Sequence, residues 1–479
     1  MARRTTPAAD ADANADNVNV NGSGRAGVSA VAYSAPMGIP GGQQHIGRRR
    51  VLTLAAGAAA GCVLGTSACD AGGGAAEAKP PARTPLWTFP LLDEEGSGKG
   101  LHDALMVHQD GVLYVRSKKD GLYAIDAATG RERWRAPLAG ARLGAPAVTS
   151  RAVFVATDGG AVHALRTADG GQMWRQVPGG RLSRPSAGNL WASGSVLMVS
   201  FLPSTYDDDP DPPPIVLYAL DMENGNPLWQ TEASVLEVRD GLAYVNTEDG
   251  GLSALDPRTG AVRWTAPPEK PGGRCTLDAH AAGLLFGRNG NVGIGSKLVA
   301  YDPRTGDVRW TAPAAHASAA VAHGDAVYIC APGRRRGDEQ QLQAFDAASG
   351  KHRWTARAFS ATLNDSPVLA ADGDGVYLDW SEDGSLTKED RTTLRAYAAD
   401  TGRERWRGRR PDSSYAAAVA PGNLLFICYL RDWYCYDTRT GEALWRLGAG
   451  KDTTAGLPPL AADGHLYFWN EAGVHAVRP

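Results

Sequence analysis

Closely spaced carboxylates occur in the stretch PSTYDDDPDPPP at residues 203–214. Carboxylate oxygens are ligands that Ca²⁺ prefers in proteins, and Asp207–Asp209 together with Asp211 would supply several of them. The stretch lacks the spaced DxDxDG pattern of a calcium-binding loop. The sequence therefore predicts a solvated acidic loop here and no metal site.

A glycine-rich stretch, GRNGNVGIGS at residues 287–296, is a second candidate for a ligand site. A phosphate-binding loop of this kind carries a lysine at a set spacing and leads into a helix. The stretch has neither feature. We expect no phosphate site at these residues.

The chain has six cysteines, and none of them forms a CxxC motif or a Cys/His cluster with the spacing of a zinc site. In FICYLRDWYCYD, a tight turn at Arg431-Asp432 would place Cys428 and Cys435 directly opposite each other on paired strands. In an exported protein this pair could form a disulfide. Two free buried thiols are the alternative, because residues at a hydrogen-bonded register give poor disulfide geometry.

One phrase recurs along the chain, first as DGLYAIDAATGRERW at residues 120–134. Its aspartate and glycine suit a turn, since the carboxylate can cap backbone N–H groups and glycine accepts a positive φ. The repeated aspartates are Asp126, Asp221, Asp256, Asp302, Asp346 and Asp437, and Arg166 and Ala398 occupy this position in two copies. We interpret them as turn residues and not as catalytic or metal-binding groups.

Each copy closes on a tryptophan, which we expect to pack between neighbouring repeats. The closing tryptophans are Trp134, Trp174, Trp229, Trp264, Trp310, Trp354, Trp406 and Trp445, and Trp87 matches them near the start of the repeats.

The segments between these tryptophans alternate apolar and polar residues with period 2, which indicates strands. A repeat of about 35–55 residues with two strand pairs is a four-stranded antiparallel meander, and a ring of such meanders is a β-propeller. Trp87 has no preceding strands of its own, whereas residues 455–477 lack a last strand. We therefore predict that the N-terminal strand completes the last blade. Eight complete units and this split unit make nine.

The phrase LYALD-x-x-TG-x-x-x-W resembles the repeat of the PQQ-repeat (quinoprotein-like, BamB-like) propellers, and the resemblance covers residues 86–477. It implies an all-β propeller of four-stranded blades. Members of the family usually have eight blades, so eight are expected here, with nine possible from the repeat count.

The resemblance implies different functions for different members. Some are pyrroloquinoline quinone dehydrogenases with adjacent cysteines, a Ca²⁺ ion and an aspartate base, and others are non-catalytic. No two cysteines of this chain are adjacent. We expect a non-catalytic scaffold or sensor that binds a protein or ligand, with no cofactor. A dehydrogenase that uses pyrroloquinoline quinone with calcium, and a BamB-like envelope assembly factor, are the alternatives.

The N-terminal sequence predicts export. GRRRVLTLAAGAAAGCVLGTSAC resembles a twin-arginine (Tat) signal, with Arg48 and Arg49 as the pair and Val51 and Leu52 after them. Cys69 is a candidate for lipidation, and an uncleaved membrane anchor is the alternative. Either interpretation places the propeller outside the cytoplasm. The predicted segments are a disordered leader at 1–46, the signal or anchor at 47–69, a flexible linker at 70–85 and the propeller at 86–479.

Long insertions are predicted between the second and third strands of four repeats. They comprise residues 203–214, 287–296, 331–340 and 381–391. Because equivalent connections share one face of a propeller, we expect a protein or small ligand to bind there. A formal net charge of −3 and the lack of a basic stripe with interleaved aromatics give no support for a nucleic-acid partner.

Overall fold

A computed structural model defines the fold, and it describes the chain in several ranges. These are residues 80–91, 106–117, 121–138, 146–157, 160–179, 186–202, 215–269, 273–290, 296–313, 320–331, 341–357, 368–381, 392–409, 414–420, 423–429, 432–448, 460–470 and 473–478. Within these ranges the regular structure consists of antiparallel β-strands that form meanders. The predicted leader, signal segment and nearly all of the predicted linker lie outside them.

Each meander is one blade, and its strands are lettered A to D in order along the sheet. Blade 1 contains β2 (Met106–Gln109), β3 (Val112–Ser117), β4 (Gly121–Asp126) and β5 (Glu132–Ala136). Blade 2 contains β6 (Ala147–Val148), β7 (Ala152–Ala156), β8 (Val162–Arg166) and β9 (Gln172–Gln176). Blade 3 contains β10 (Ser186–Ser193), β11 (Val196–Leu202), β12 (Val216–Asp221) and the first half of β13 (Pro227–Arg239).

The next three blades follow the same plan. Blade 4 contains the second half of β13, then β14 (Leu242–Thr247), β15 (Leu252–Leu255) and β16 (Val262–Ala266). Blade 5 contains β17 (Arg274–Cys275) and β18 (Ala279–Ala281), then β19 (Leu284–Gly290), β20 (Lys297–Tyr301) and β21 (Val308–Pro313). Blade 6 contains β22 (Val321–His323), β23 (Ala326–Ala331), β24 (Gln341–Asp346) and β25 (His352–Arg357).

The last three blades lead back to the N-terminal strand. Blade 7 contains β26 (Val368–Ala371), β27 (Gly375–Ser381), β28 (Thr392–Ala398) and β29 (Glu404–Arg409). Blade 8 contains β30 (Ser414–Ala420), β31 (Leu424–Tyr429), β32 (Asp432–Asp437) and β33 (Ala443–Gly448). Blade 9 contains β34 (Leu460–Ala462), β35 (His465–Asn470), β36 (Gly473–Val477) and β1 (Trp87–Phe89).

The described strands therefore form nine four-stranded meanders, arranged as eight hydrogen-bonded sheets. Blades 3 and 4 share one seven-stranded sheet because β13 pairs with β12 through its first half and with β14 through its second half. This continuous strand explains why the unit closed by Trp264 is the shortest repeat. The described strands thus follow the repeat count of nine and not the eight blades that are usual in the resembled family.

The N-terminal strand completes blade 9, as the sequence predicted. β1 pairs antiparallel with β36, and Trp87 lies opposite Ala476 while Phe89 lies opposite Val474. The last sheet is therefore assembled from both ends of the propeller sequence.

The hydrophobic core lies between the blades. Every pair of consecutive blades shares a cluster of buried side chains, from the blade 1–2 cluster around Tyr114 and Val155 to the blade 8–9 cluster around Phe426 and Phe468. A further cluster around Tyr123 and Tyr467 joins blade 9 to blade 1. The packing between the described strands therefore closes a ring.

The connections between strands lie at two opposite edges of the blades. The A–B and C–D connections form one edge, here called the turn edge, and the B–C and D–A connections form the other, here called the loop edge. The turn edge is almost completely described, whereas many connections at the loop edge lie outside the described ranges.

Candidate functional site

The four predicted insertions belong to B–C connections and so to the loop edge. Three of them were predicted to begin too early, since residues 287–290 belong to β19, Ala331 to β23 and Ser381 to β27. The four insertions connect β11 to β12, β19 to β20, β23 to β24, and β27 to β28. Residues 203–214, 291–295, 332–340 and 382–391 themselves lie outside the described ranges. What the structure does describe at this edge is concentrated in blades 4 and 5.

The B–C turn of blade 4 is bound directly to blade 5. The side-chain amide of Asn246 donates hydrogen bonds to the carbonyl oxygens of Cys275, at 2.7 Å, and Gly251, at 3.2 Å. The Cys275 amide donates in return to the carbonyl oxygen of Gly250 at 2.9 Å. Bonds from the Thr247 hydroxyl and the Gly251 amide lower the pKa of the Asp249 carboxyl within this turn. The turn therefore has one hydrogen-bonded conformation that is shared between two blades.

The innermost strand of blade 5 is interrupted by a buried ion pair. Between β17 and β18, the carboxylate of Asp278 accepts two bonds from the guanidinium of Arg288, at 2.8 and 3.2 Å. Asp278 also accepts from the backbone amide of Ala320 in blade 6 at 3.2 Å, and its side chain is only 5% exposed. A bidentate pair of this kind has a defined geometry. It fixes the strand β19 that leads into residues 291–295.

The end of β19 is also hydrogen-bonded to the segment that follows β16. The amide side chain of Asn289 accepts from the backbone N–H of Glu269 at 2.8 Å and donates to the carbonyl oxygen of Pro267 at 3.3 Å. Lys297, the first residue of β20, forms an ion pair with the Glu269 carboxylate. We use the name blade 4–5 platform for residues 246–251, 267–269, 274–278, 287–290 and 296–297.

The repeated aspartates lie in the C–D turns, where their carboxylates accept backbone hydrogen bonds. Asp126 accepts from the Thr129 amide at 3.0 Å and from the Thr129 hydroxyl at 2.8 Å. The hydrogen bond from the Arg133 guanidinium, with those from Thr129, lowers the pKa of Asp126 to about 2. Equivalent backbone bonds are accepted by Asp221, Asp256, Asp302, Asp346 and Asp437.

A further repeated residue was not recognised from the sequence, namely the arginine that precedes the closing tryptophan in several blades. Its guanidinium forms an ion pair with the turn aspartate seven residues earlier. The pairs are Arg133–Asp126, Arg263–Asp256, Arg309–Asp302 and Arg353–Asp346. The recurrent Arg-Trp dipeptide was the available signal. In blade 2, where Arg166 replaces the aspartate, its guanidinium pairs with Asp169 instead.

The closing tryptophans connect consecutive blades. The indole N–H donates to a carbonyl oxygen in the C–D turn of the following blade at 2.8 to 3.2 Å, and the ring lies against the turn glycine. The tryptophans with this bond are Trp87, Trp134, Trp174, Trp229, Trp264, Trp310, Trp354 and Trp406. Their rings are occupied by contacts between blades.

Trp445 has a different environment because blade 9 has no C–D turn. The guanidinium of Arg83 lies over its ring, 5.5 Å from the centroid. Residues 81–83 run parallel to the outer edge of β33, with bonds from the Arg83 amide to the Arg446 carbonyl at 2.6 Å and from the Arg446 amide to the Pro81 carbonyl at 2.9 Å. The N-terminal segment therefore covers the last closing tryptophan.

The two cysteines of blade 8 do not lie directly opposite each other, and this part of the sequence interpretation was wrong. Cys428 is opposite Trp433 and Cys435 is opposite Phe426, because Tyr429 and Asp432 form the last pair before the connection. The cysteines are therefore at diagonal positions, which are farther apart than a disulfide normally spans. Cys435 and Cys275 are buried free thiols, and Cys330 is buried as well.

Several predicted sites cannot be placed in the structure. Arg48, Arg49, Val51, Leu52 and Cys69 lie outside the described residues. Within the described ranges, no helix is long and apolar enough to cross a membrane. The same ranges contain no group of three or more His, Cys, Asp or Glu side chains placed to hold a metal ion.

Comparison with known proteins identifies relatives of this ring. The chain is 28% identical over 199 residues to the outer membrane protein assembly factor BamB of Yersinia pestis, which covers 37% of this chain and 48% of the relative. It is also 28% identical over 205 residues to BamB of Nitrosomonas eutropha, covering 40% of this chain and 45% of the relative. The matches thus span about half the length of these curated relatives.

One solved structure shows the same fold at low sequence identity. Quinohemoprotein alcohol dehydrogenase from Comamonas testosteroni is 15% identical with a TM-score of 0.50, covering 80% of this chain and 72% of that one. BamB from Moraxella catarrhalis is 15% identical with a TM-score of 0.46, covering 82% of this chain and 96% of that one.

A family model described as outer membrane protein assembly factor BamB matches residues 73–203, 214–393, 315–424 and 390–477. These matches cover most of the chain, including all the blades. The chain therefore belongs to the BamB-like family of PQQ-repeat propellers.

Proposed function

We propose that this protein is a non-catalytic, extracytoplasmic scaffold, held at the membrane through its N-terminal segment, which binds a protein partner at its loop edge. The blade 4–5 platform is the fixed part of the binding surface, and the four insertions complete it. The observation that supports this proposal most directly is the set of side-chain bonds that fix the backbone of the platform.

Pre-ordered backbone favours binding because little conformational freedom is lost when a partner docks. In the platform this order is provided by Asn246, Asn289 and the Asp278–Arg288 pair, which join blades 4, 5 and 6. The exposed side chains of Glu248, Arg274 and Lys297 surround these bonds. Mixed charges around an ordered centre are typical of the polar rim of protein interfaces.

The relatives indicate which kind of partner to propose. Two of them are named as outer membrane protein assembly factors, and an assembly factor acts on other proteins. For this chain we accordingly propose a protein partner in the cell envelope.

Site-specific photo-crosslinking in the full chain would test the proposal. A photoreactive residue at Glu248, on the loop edge of blade 4, should form a crosslink with a defined envelope protein. The matched control is Glu223, an exposed glutamate on the turn edge of blade 3. Equal crosslinking from both positions, or from neither, would contradict a loop-edge interface.

Calorimetric titration with pyrroloquinoline quinone and Ca²⁺, followed by dye reduction with alcohols and sugars, tests the catalytic alternative. The scaffold proposal predicts no turnover. Quinone-dependent dye reduction would overturn it.

A further inference from the structure

The exposed large hydrophobic side chains of the described residues lie near the starts of outermost strands. Each lies one or two residues before a closing tryptophan, at the start of a D strand. They are Leu86, Met173, Leu228, Val262 and Val308, with exposed fractions of 49, 40, 44, 60 and 54%. A single exposed valine or leucine needs no explanation. They occur in four consecutive blades and in blade 9, and Val262 and Val308 share one position, two residues before the tryptophan.

The outermost strands of the blades differ in the number of charged side chains that would oppose the addition of another strand. Edge strands expose unpaired N–H and C=O groups, and charged side chains normally discourage the addition of another strand. In blade 1, β5 (ERWRA) carries three charges, and in blade 7, β29 (ERWRGR) carries four. In blades 4 and 5, β16 (VRWTA) and β21 (VRWTAP) carry only one each.

The single charge on these two strands is already engaged. Arg263 pairs with Asp256 in blade 4, and Arg309 pairs with Asp302 in blade 5. Among the remaining residues, the valine, tryptophan and threonine of each strand are strong strand formers. The others are Ala266 in β16, and Ala312 and Pro313 at the end of β21. The outer edges of β16 and β21 are therefore open to strand addition on one side.

The molecule itself shows that an outer edge of this ring accepts a strand. Residues 81–83 pair in parallel with the outer edge of β33, with Ala82 opposite Arg446 and two backbone hydrogen bonds. β33, β16 and β21 are equivalent D strands of their blades. On β33 the edge is filled by the chain's own N-terminal segment, whereas no described residue pairs with the outer edge of β16 or β21.

The charge beside the two open edges indicates the chemistry of the occupant. Arg258 and Arg304 occupy the same position in the adjacent C–D turns, and both are exposed. Each backbone N–H donates to the turn aspartate, but neither guanidinium has a partner among the described residues. In blade 4, the exposed charges of the turn and strand are thus the two arginines Arg258 and Arg263. The side chain of Asp256 is only 21% exposed, so the local surface is positively charged.

We propose that the outer edges of β16 and β21 bind an extended segment of a partner protein by parallel strand addition. The segment would alternate β-branched residues with a carboxylate, so that apolar side chains cover Val262 or Val308 and the carboxylate pairs with Arg258 or Arg304. Strand addition of this type derives affinity from main-chain bonds and specificity from alternate side chains. The surface lies at the outer rim and is independent of the loop-edge interface.

The test uses the full chain and a labelled hexapeptide, acetyl-Val-Thr-Val-Glu-Val-Thr-amide. We expect saturable binding by fluorescence anisotropy. The double variant V262K/V308K should weaken it by about tenfold or more, because lysines on an edge oppose strand addition. Both positions are exposed, so the thermal transition of the variant should match that of the parent protein.

Two controls separate this surface from general adhesion. E132K changes the equivalent position of blade 1 and should leave the affinity within about twofold, since β5 is already protected by charge. A peptide with lysine in place of glutamate should bind more weakly than the acidic peptide. Absence of saturable binding, or equal binding by the parent and V262K/V308K, would overturn the proposal without affecting the loop-edge interface.

Discussion

The guanidinium of Arg83 and the ring of Trp445 meet at the point where the two ends of the propeller sequence join. The same guanidinium donates to the carbonyl oxygen of Arg478, near the end of blade 9, at 3.0 Å. At the eight other closing tryptophans a C–D turn of the next blade covers the ring and accepts its N–H. Arg83 thus takes the place of the turn that blade 9 lacks.

Replacing Arg83 with alanine should therefore weaken the closure of the ring. Loss of a cation–π contact and one hydrogen bond predicts a decrease of about 1–2 kcal/mol in the free energy of unfolding. Urea denaturation followed by circular dichroism measures it. Arg131→Ala, which removes an exposed arginine from the C–D turn of blade 1, should have almost no effect. Equal losses in both variants would show that Arg83 has no special role.

The loss of stability when a turn glycine is replaced by alanine should depend on the atoms that the added methyl group would meet. Gly111 and Gly130 both belong to blade 1 and have φ values of 71° and 70°, so alanine is strained equally at each. A methyl group at Gly111 would meet nothing within 4 Å, whereas at Gly130 it would lie 2.5 Å from Cδ2 of Trp87. We expect Gly111→Ala to cost about 1 kcal/mol, and Gly130→Ala about 2–4 kcal/mol because overpacking is added to backbone strain.

Thermal and urea unfolding of the two variants would check this difference. A loss at Gly111 as large as that at Gly130 would mean that the ring of Trp87 yields without cost. The double variant Gly130→Ala/Trp87→Leu should then clarify the source of the strain, since removing the indole should recover part of the loss.

The repeated features of the ring could be predicted from sequence because their causes are local and recur in every unit. The Asp-x-x-x-Gly turn needs only a short-range carboxylate bond and a glycine with positive φ, as at Asp126 and Gly130. The split blade could be predicted because Trp87 lacked preceding strands. The blade number was harder, since the expectation of eight came from relatives and only the repeats themselves indicated nine.

The candidate site could be predicted only as an edge of the ring. The insertions locate the loop edge, but the platform depends on contacts between blades. Asn246 and Cys275 are 29 residues apart, and the Asp278 carboxylate reaches an amide 42 residues away. No local pattern marks such partners, because each is chosen by the packing of one blade against the next. The register at Cys428 was similarly hidden, since one residue more or less in a connection changes every pairing.

Acid should destabilise blade 9 through His475. Burial lowers the pKa of His475 to about 4, from an ordinary value of about 6.5. Because the pKa of His475 is lower in the folded than in the unfolded chain, unfolding takes up a proton at acidic pH. The free energy of unfolding is therefore unaffected by His475 above pH 6.5 and decreases as the pH falls toward 4. The upper limit of the loss is about 3 kcal/mol.

Urea midpoints measured between pH 7.5 and 4.5 would test this dependence. His475→Gln keeps a polar side chain opposite the Thr88 hydroxyl, which lies 2.9 Å from Nδ1 of His475, and should show a shallower pH dependence than the parent. The exposed His352 serves as the control, and His352→Gln should leave the dependence unchanged. Parallel curves for the parent and His475→Gln would assign the acid sensitivity to other groups.

Substitution of Asn246 should loosen the blade 4–5 platform selectively. Asn246→Ala leaves the Cys275 and Gly251 carbonyls without their side-chain donor, and we expect a loss of about 1–3 kcal/mol. Hydrogen exchange should accelerate in residues 247–251 and 274–276 and remain unchanged in the turn at 126–131. Asn224→Ala, which removes a turn-edge asparagine, is the matched control. Global acceleration of exchange would mean that Asn246 supports the ring as a whole and not the platform.

The thiol of Cys435 should not react with thiol reagents in the folded protein. Its side chain is buried between blades 8 and 9, and burial raises its pKa strongly, so the reactive thiolate is scarce at neutral pH. Cys275, which is buried in the platform, has a raised pKa for the same reason. A thiol reagent such as a disulfide dye should label both only after denaturation, and mass spectrometry of the alkylated, unreduced chain should find Cys435 modified. Recovery of a peptide that joins Cys428 to Cys435 would contradict the observed register, because the diagonal positions would have to move together to form the bond.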